Sequence, residues 1–589
     1  MKKQYHLLCI GSICLILMTT QGVIRTRADG VMPSESDPTA LLPADTLFYL
    51  EIRDAATALD RLSERAVWPE LTALADGLAG RTAGFTWLRE ICRQWPVDEA
   101  LRRQFRDVAG ERIVVAVIPA ADTPAGLVAL RGAAGGPSPR QVADLLHQLG
   151  ATASVDEKAG AQRLTDDTDE LGWSGWPAGE WFVLAPERDA PRLAALEAAL
   201  AGRRSEAEPL AGLASFADTM PELPGPSVAR GFVNTRGLAL ELARHNLTDR
   251  PAARLLMSLL CRIDGIAFAR QITPEGIVTR AAGRLQPARD EDPVWSLVHE
   301  TVPLTDHGRC AVPADALGVY ETSLSATELM SALTTLLEEA GFPPVETWTD
   351  RFPDLDAAFG LELVAELLPS LGDGLTLALL RGGLADSALT LPQPLMVIPV
   401  KDESAVRATM DDLLAWKAGS VAASTGGLLG ATVVTEMHEG VELRGLQLEG
   451  LLPVPFISPT TAVTDGRLII SPFREAVRTA VTTLHQGRPA WVSADIRLGG
   501  GIPATGLLVG TGMLDMAGLG AVMLDLARRC PQPEKSAGSF WSLTGRLLQT
   551  FGPASGTTVL TPDGRFTCEF NVSFGADRTD DPSPLQHAP

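Results

Sequence analysis

The sequence predicts an α+β fold made of two similar domains, each a mainly antiparallel sheet with helices packed on it. Three observations carry this expectation. Turn and cap signals recur in the same order in the two halves of the 589-residue chain, strand-like runs come in close pairs, and helices are entered directly from strands. The gaps between neighbouring strand runs are short, which suits antiparallel pairing, because a parallel crossover needs a dozen or more residues.

The first half opens at Leu42-Pro43-Ala44-Asp45-Thr46-Leu47 and the second at Val312-Pro313-Ala314-Asp315-Ala316-Leu317. Leu47 to Ile52 is rich in strand formers and ends at Asp54, placed to cap a helix through Leu59 and Leu62. The counterpart is Val319-Tyr320-Glu321, followed by Ser325 and Glu328 at capping-box spacing. Next come Ile113–Ile118 and Leu127–Leu130, leading to Ser138-Pro139 and a helix that stops at Gly150. Their partners are Leu375–Leu380 and Leu395–Val400, with Asp402 as cap. Trp181–Pro186 leads into a helix over Leu193–Leu200, as Leu468–Pro472 leads into one over Ala476–Leu484. Phe232-Val233-Asn234 opens a helix containing Leu238 and Leu242, and Met513-Leu514-Asp515 opens one containing Leu519 and Leu526. Each half closes on a hairpin, Thr273-Pro274-Glu275-Gly276 and Thr561-Pro562-Asp563-Gly564, where proline presets the turn and glycine takes the positive φ.

Lys2 and Lys3 precede an apolar run from Leu7 to Met18, and Thr26-Arg27-Ala28 suits signal peptidase, so residues 1–28 read as an export signal. An uncleaved N-terminal anchor is the alternative, and it is the only membrane contact expected. The expected organisation is a signal at 1–28, a first α+β repeat at 29–285, a polar linker at 286–311, a second repeat at 312–575 and a disordered tail at 576–589. The formal net charge is −22, and −26 without the signal, which holds four cations and no acid. Such a chain repels phosphate backbones, so no nucleic acid partner is expected. Cys92, Cys261, Cys310, Cys530 and Cys568 form no paired metal spacing and no disulfide framework, and read as free thiols.

Candidate ligand residues are Asp166, Asp167, Asp169, Glu170, Trp173 and Trp176. Clustered carboxylates suit a hard cation and neighbouring indoles suit a sugar face, but the glycine and distal glutamate of a calcium loop are missing. A solvated acidic loop is the plainer interpretation. Gly499–Arg529 is apolar and glycine-rich, suited to a lipid-like ligand but more simply a buried strand and helix whose cap is Asp515. The histidines are scattered, no nucleophile elbow or Walker loop occurs, and Gly510-Thr511-Gly512 lacks a third glycine at dinucleotide spacing. No catalytic residue, metal or cofactor is therefore assigned.

The opening Leu-Pro-Ala-Asp-Thr-Leu, and Ala462-Val463-Thr464-Asp465-Gly466-Arg467-Leu468-Ile469-Ile470 with a helix behind it, resemble exported, internally duplicated proteins of planctomycete-type bacteria catalogued as a domain of unknown function. The resemblance spans most of residues 40–575. It implies location and architecture only. The expected role is a non-catalytic binding or scaffolding protein of the cell envelope, periplasmic or secreted, with an envelope protein or a lipid-like ligand as partner. The alternatives are a carrier of a hydrophobic ligand and a hydrolase built on dispersed carboxylates.

Overall fold

The computed structural model describes residues 38–575 apart from 41, 66, 80–85, 120–123, 151–152, 157–162, 167–172, 187–208, 224–226, 245–250, 274, 287–291, 293, 296, 298–303, 305–307, 342–366, 385–386, 425–428, 451–457, 488–505 and 530–536. The expected signal, the Leu193–Leu200 helix, Cys530 and the C-terminal tail lie outside the described residues.

The fold is mixed helix and strand around one large antiparallel sheet. The first ten strands are β1 (Phe48–Arg53), β2 (Arg112–Ile118), β3 (Ala125–Arg131), β4 (Ala153–Asp156), β5 (Arg163–Asp166), β6 (Trp173–Ala178), β7 (Trp181–Pro186), β8 (Ala229–Val233), β9 (Ile263–Ile272) and β10 (Gly276–Leu285). The next ten are β11 (Gly318–Thr322), β12 (Leu375–Leu384), β13 (Ser387–Pro399), β14 (Leu429–His438), β15 (Val441–Gly450), β16 (Thr460–Thr464), β17 (Arg467–Ser471), β18 (Leu507–Asp515), β19 (Phe551–Leu560) and β20 (Arg565–Phe574). Pairing runs β4-β5-β6-β7-β3-β2-β1-β8-β9-β10 across the first set and β14-β15-β16-β17-β13-β12-β11-β18-β19-β20 across the second. The two orders match strand for strand.

The sets are not two separate sheets. β10 and β20 pair antiparallel from Gly276 opposite Ser573 to Arg284 opposite Arg565, so the sheet continues from one half into the other. The apolar interior is shared as well. Ile272 and Ile277 pack with Phe551, Val572 and Phe574, while Leu285 and Trp295 pack with Val509, Leu560 and Phe566.

Helices cover both faces. On one face, here called the front, α1 (Ala55–Ser63), α2 (Val67–Ala79), α3 (Thr86–Gln94), α4 (Glu99–Ala109) and α5 (Pro139–Gln148) bury their apolar stripes against Leu50, Ile52, Leu130 and Phe182. The rear holds Tyr49, Val114, Ala116 and Phe232, with Phe216 of α6 (Ala214–Thr219) packed on them. After β8 come α7 (Thr235–Arg244) and α8 (Pro251–Cys261), and after β11 comes α9 (Ala326–Glu339). Further along, α10 (Glu403–Ser424) lies on the front and α11 (Arg474–Gln486) on the rear, followed by α12 (Met516–Arg529) and α13 (Ala537–Gln549). No described helix is long and apolar enough to cross a membrane.

Reciprocal contacts join the halves beyond the β10–β20 seam. Just after α8, Arg262 donates from Nε to Asp292 (2.8 Å) and from Nη2 to Glu339 of α9 (2.8 Å), with 2 % of its side chain exposed. In the opposite direction Arg546 of α13 pairs with Glu70 of α2 at 3.1 Å.

Local chemistry accounts for most boundaries. Asp98 accepts from the amides of Ala100 and Leu101, and Leu101, Phe105 and Val108 then fall on the buried side of α4. Ser138 and Gln141 form a reciprocal capping box with Pro139 in the first turn of α5. Asn234 Oδ1 accepts from Gly237 N (2.8 Å), and Asp515 Oδ1 accepts from Gly518 N (2.9 Å), at the equivalent exits from β8 and β18. Asp402 caps α10 through the amides of Ser404 and Ala405.

Two local expectations change. Asp54 stands at the N-cap of α1, but in a left-handed conformation (φ 49°) and without a side-chain cap bond. Gly564 takes the positive φ expected of it (82°) and Gly276 does not. The two closing hairpins differ because Thr273 bonds to Gly276 whereas Thr561 bonds one residue further on, to Arg565. The sequence does not point to the hairpins β4–β5 and β14–β15, because polar and apolar residues mix there without the long apolar runs that mark strands elsewhere.

Candidate functional site on the central rows of the sheet

Antiparallel register places directly opposed residues on the same face. Two neighbouring cross-strand rows pass through the middle of the sheet, one on each face. The rear row runs Glu51, Arg230, Ala269, Arg280, Glu569, Thr557, Thr511, Glu321, Thr376. The front row, one residue along each strand, runs Ile52, Ala229, Arg270, Thr279, Phe570, Gly556, Gly512, Tyr320, Leu377.

Every acid in the rear row has a cation or donor. Glu51 is fully buried and is reached by Arg230 Nε (2.5 Å), Arg53 Nε (2.9 Å) and Arg112 Nη1 (3.5 Å), with Tyr49 Oη donating at 3.1 Å. Burial by itself would raise its pKa, but Arg230 and Arg53 overcome that and hold it down to about 2. Glu321 occupies the same place in β11. It accepts from the Arg309 guanidinium (2.5 Å), from the Arg309 backbone amide (3.1 Å) and from Thr376 Oγ1 (3.2 Å). Between them Arg280 and Glu569 face each other across the β10–β20 seam at 2.7 Å. The acids of the rear row are thus buried with their partners supplied by the chain itself.

The front row is built differently. Arg270 donates from Nε to Thr279 Oγ1 (3.0 Å), while its Nη1 is buried with no acceptor, and among the described residues no carboxylate pairs with it. Burial brings its pKa down to about 10, so it still carries its charge at neutral pH. Along the same row Phe570, Tyr320 and Leu377 are 46 %, 45 % and 43 % exposed. Gly556 and Gly512 contribute no side chains between them, and the two rings lie over this floor. A Cβ on Gly512 would meet Tyr320 Cδ2 at 3.1 Å, and one on Gly556 would meet Phe570 Cδ2 at 3.2 Å. Cys568 and Thr558, 3.5 Å apart, continue the lining, and burial pushes both the Cys568 thiol and the Tyr320 phenol up. The front row is thus an apolar strip with a cation at its end that no described carboxylate pairs.

None of the candidate ligand residues singled out in the sequence belongs to these two rows. Trp176 is 7 % exposed in the rear apolar cluster, its indole N–H buried without an acceptor, so it offers no ring face to solvent. Asp166 ends β5 and Trp173 begins β6, but their side chains, and Asp167, Asp169 and Glu170 entirely, lie outside the described residues. Within Gly499–Arg529 the described part is β18 and α12, with Asp515 as the cap. Among the described residues no group of three or more His, Cys, Asp or Glu side chains could hold a metal. Cys92, Cys261, Cys310 and Cys568 are free thiols.

Sequence reasoning misses the buried glutamates, although a signal is present. Glu51 and Glu321 each stand nine residues beyond the first residue of the repeated opening, and each interrupts an apolar strand. Arg270 leaves no comparable trace, because only the folded register places the uncharged Ala229 and Thr279 opposite it.

No family model matches the chain, and no curated protein matches it. It is similar to a solved protein, TP0453 in its crystal form I, at 12 % identity over 44 % of this chain and 84 % of that one, with a TM-score of 0.24. At that score the likeness carries no functional argument.

Proposed function

We propose that the chain is an exported, non-catalytic protein of the cell envelope that binds a partner or ligand on the front of its sheet. The observation that supports this most directly is the strip formed by Phe570, Tyr320 and Leu377, since contiguous exposed apolar surface marks an interaction site. Among the described residues the carboxylates displaced from their ordinary range, Glu51, Asp402, Glu436 and Asp563, all move down. A general acid working near neutral pH needs the opposite shift, which weighs against the hydrolase reading. Export rests on the character of residues 1–28. In this reading residues 29–285 and 312–575 are two copies of one α+β unit, supported by the matching strand orders and the matching caps Asn234 and Asp515.

A second form of the same reading, a carrier of a hydrophobic ligand, is favoured over a protein scaffold by one feature: the strip ends on a cation that no described protein group neutralises. Affinity purification from an envelope fraction, with mass spectrometry of proteins and lipids, tests the proposal. A stoichiometric protein or lipid that is lost when Phe570 and Leu377 are replaced by serine supports it. Hydrolytic turnover with no retained partner would overturn it.

A further inference from the structure

We infer that the front strip takes an amphipathic anion, with its acidic head on Arg270 and its apolar body along the exposed surfaces of Phe570, Tyr320 and Leu377. The inference rests on the binding role proposed above and names the class of ligand.

Electrostatics supplies one reason. A buried guanidinium with an unsatisfied N–H and no carboxylate is costly, and buried charges are ordinarily paired. The rear row of the same strands meets that requirement at Glu51, at Arg280 with Glu569 and at Glu321. Arg270 lacks a counter-ion among the described residues, so an anion from outside would complete it. The residues opposite Arg270 in the row, Ala229 and Thr279, carry no charge.

Shape and chemistry along the rest of the row supply another. From Phe570 to Leu377 the row crosses five strands, about 19 Å at the usual ~4.8 Å spacing. An acyl chain spans about half the ~30 Å hydrocarbon thickness of a bilayer, so it fits within that length. The Tyr320 and Phe570 rings lie across the two glycines, and their exposed surfaces, with that of Leu377, supply the apolar contact area. A purely apolar ligand would leave Arg270 unpaired, and a small inorganic anion would leave the strip uncovered. Only a molecule with both parts satisfies both observations. The acidic group is a carboxylate or a phosphate, both of which accept the paired N–H bonds of a guanidinium.

Fluorescence titration of the whole protein with parinaric acid and with its methyl ester tests this, with dodecyl phosphate and inorganic phosphate as competitors. The expected result is saturable binding of the acid, weaker binding of the ester by about tenfold, as for loss of one charge-assisted contact, and displacement by dodecyl phosphate but not by inorganic phosphate. Arg270→Gln should abolish the preference for acid over ester, and Leu377→Ser, at an exposed position, should weaken both alike. Equal binding of acid and ester to the unaltered protein, or a preference that survives Arg270→Gln, would overturn the inference, as would displacement by inorganic phosphate. Binding of neither probe overturns it too, while a protein partner recovered from the envelope would leave the broader binding role standing, so the two readings fail separately.

Discussion

The front and rear rows are made by the same strands, one residue apart, and they treat charge in opposite ways. On the rear, Glu51 and Glu321 are buried and neutralised, although each half does it differently. Arg53, Arg112 and Arg230 come from the strands around Glu51, their side chains 39 %, 23 % and 27 % exposed. Glu321 relies on Arg309, only 7 % exposed, from the segment just before β11. On the front, Arg270 has no described counter-charge and the apolar residues beside it face outward. The lesson is that a charge buried inside this sheet serves the fold where it is paired, and points to something outside the chain where it is not.

That contrast predicts effects of opposite sign. The largest belongs to Glu321→Leu, which strands Arg309 in the interior. Unfolding free energy should fall by about 3–5 kcal/mol, as when one partner of a buried pair is removed. A urea midpoint within error of the parent protein would remove the structural role given to the rear row. Glu51→Leu should cost less, because its arginines can rehydrate at their exposed ends.

Next in size is the acid response. Because Glu51 titrates near 2 in the folded protein and near its ordinary value of 4.5 when unfolded, its contribution is complete above about pH 5. It is lost as pH falls toward 2, at a total of about 3 kcal/mol. Denaturant titrations between neutral and acid pH should trace that limb, and Glu51→Gln should flatten it.

Arg270→Gln should move stability the other way, raising it by about 1–2 kcal/mol as an unpaired buried charge is relieved. A loss of similar size would mean that Arg270 is held by the fold and would erase the difference between the rows. The smallest effects are at the caps. Asn234→Ala and Asp515→Ala should each cost about 1 kcal/mol, with Asp515→Ala the larger because Asp515 also pairs with Arg381. Thermal melts of the two variants sharpen the comparison by separating the strand ends from the rows themselves.

Much of the fold is legible in the sequence because it is written locally. Pro139 after Ser138, Asp402 before Glu403, and Asn234 and Asp515 at matching strand exits act within a few residues, and apolar runs such as Ile113–Ile118 need no distant information. The failures have equally local reasons. Asp54 sits in a cap position, but its left-handed backbone leaves no side-chain cap bond to the first turn, and Pro-Glu-Gly and Pro-Asp-Gly look alike although their loops close one residue apart. Of the site almost nothing is legible. The Asp166–Trp176 cluster is dense in chemistry along the chain, yet Trp176 is spent on the rear core.

The order of elements, their caps and the recurrence of one pattern in two halves were determined by the sequence itself, because the forces that set them act over a turn of helix or a pair of strands. Only tertiary structure decided that the halves share one sheet through β10 and β20, and that Arg270 from one half lies in line with Phe570 and Tyr320 from the other. Register between strands hundreds of residues apart is fixed by hydrogen bonds and packing that no local stretch contains, so a row of side chains across a sheet exists only once the chain has folded.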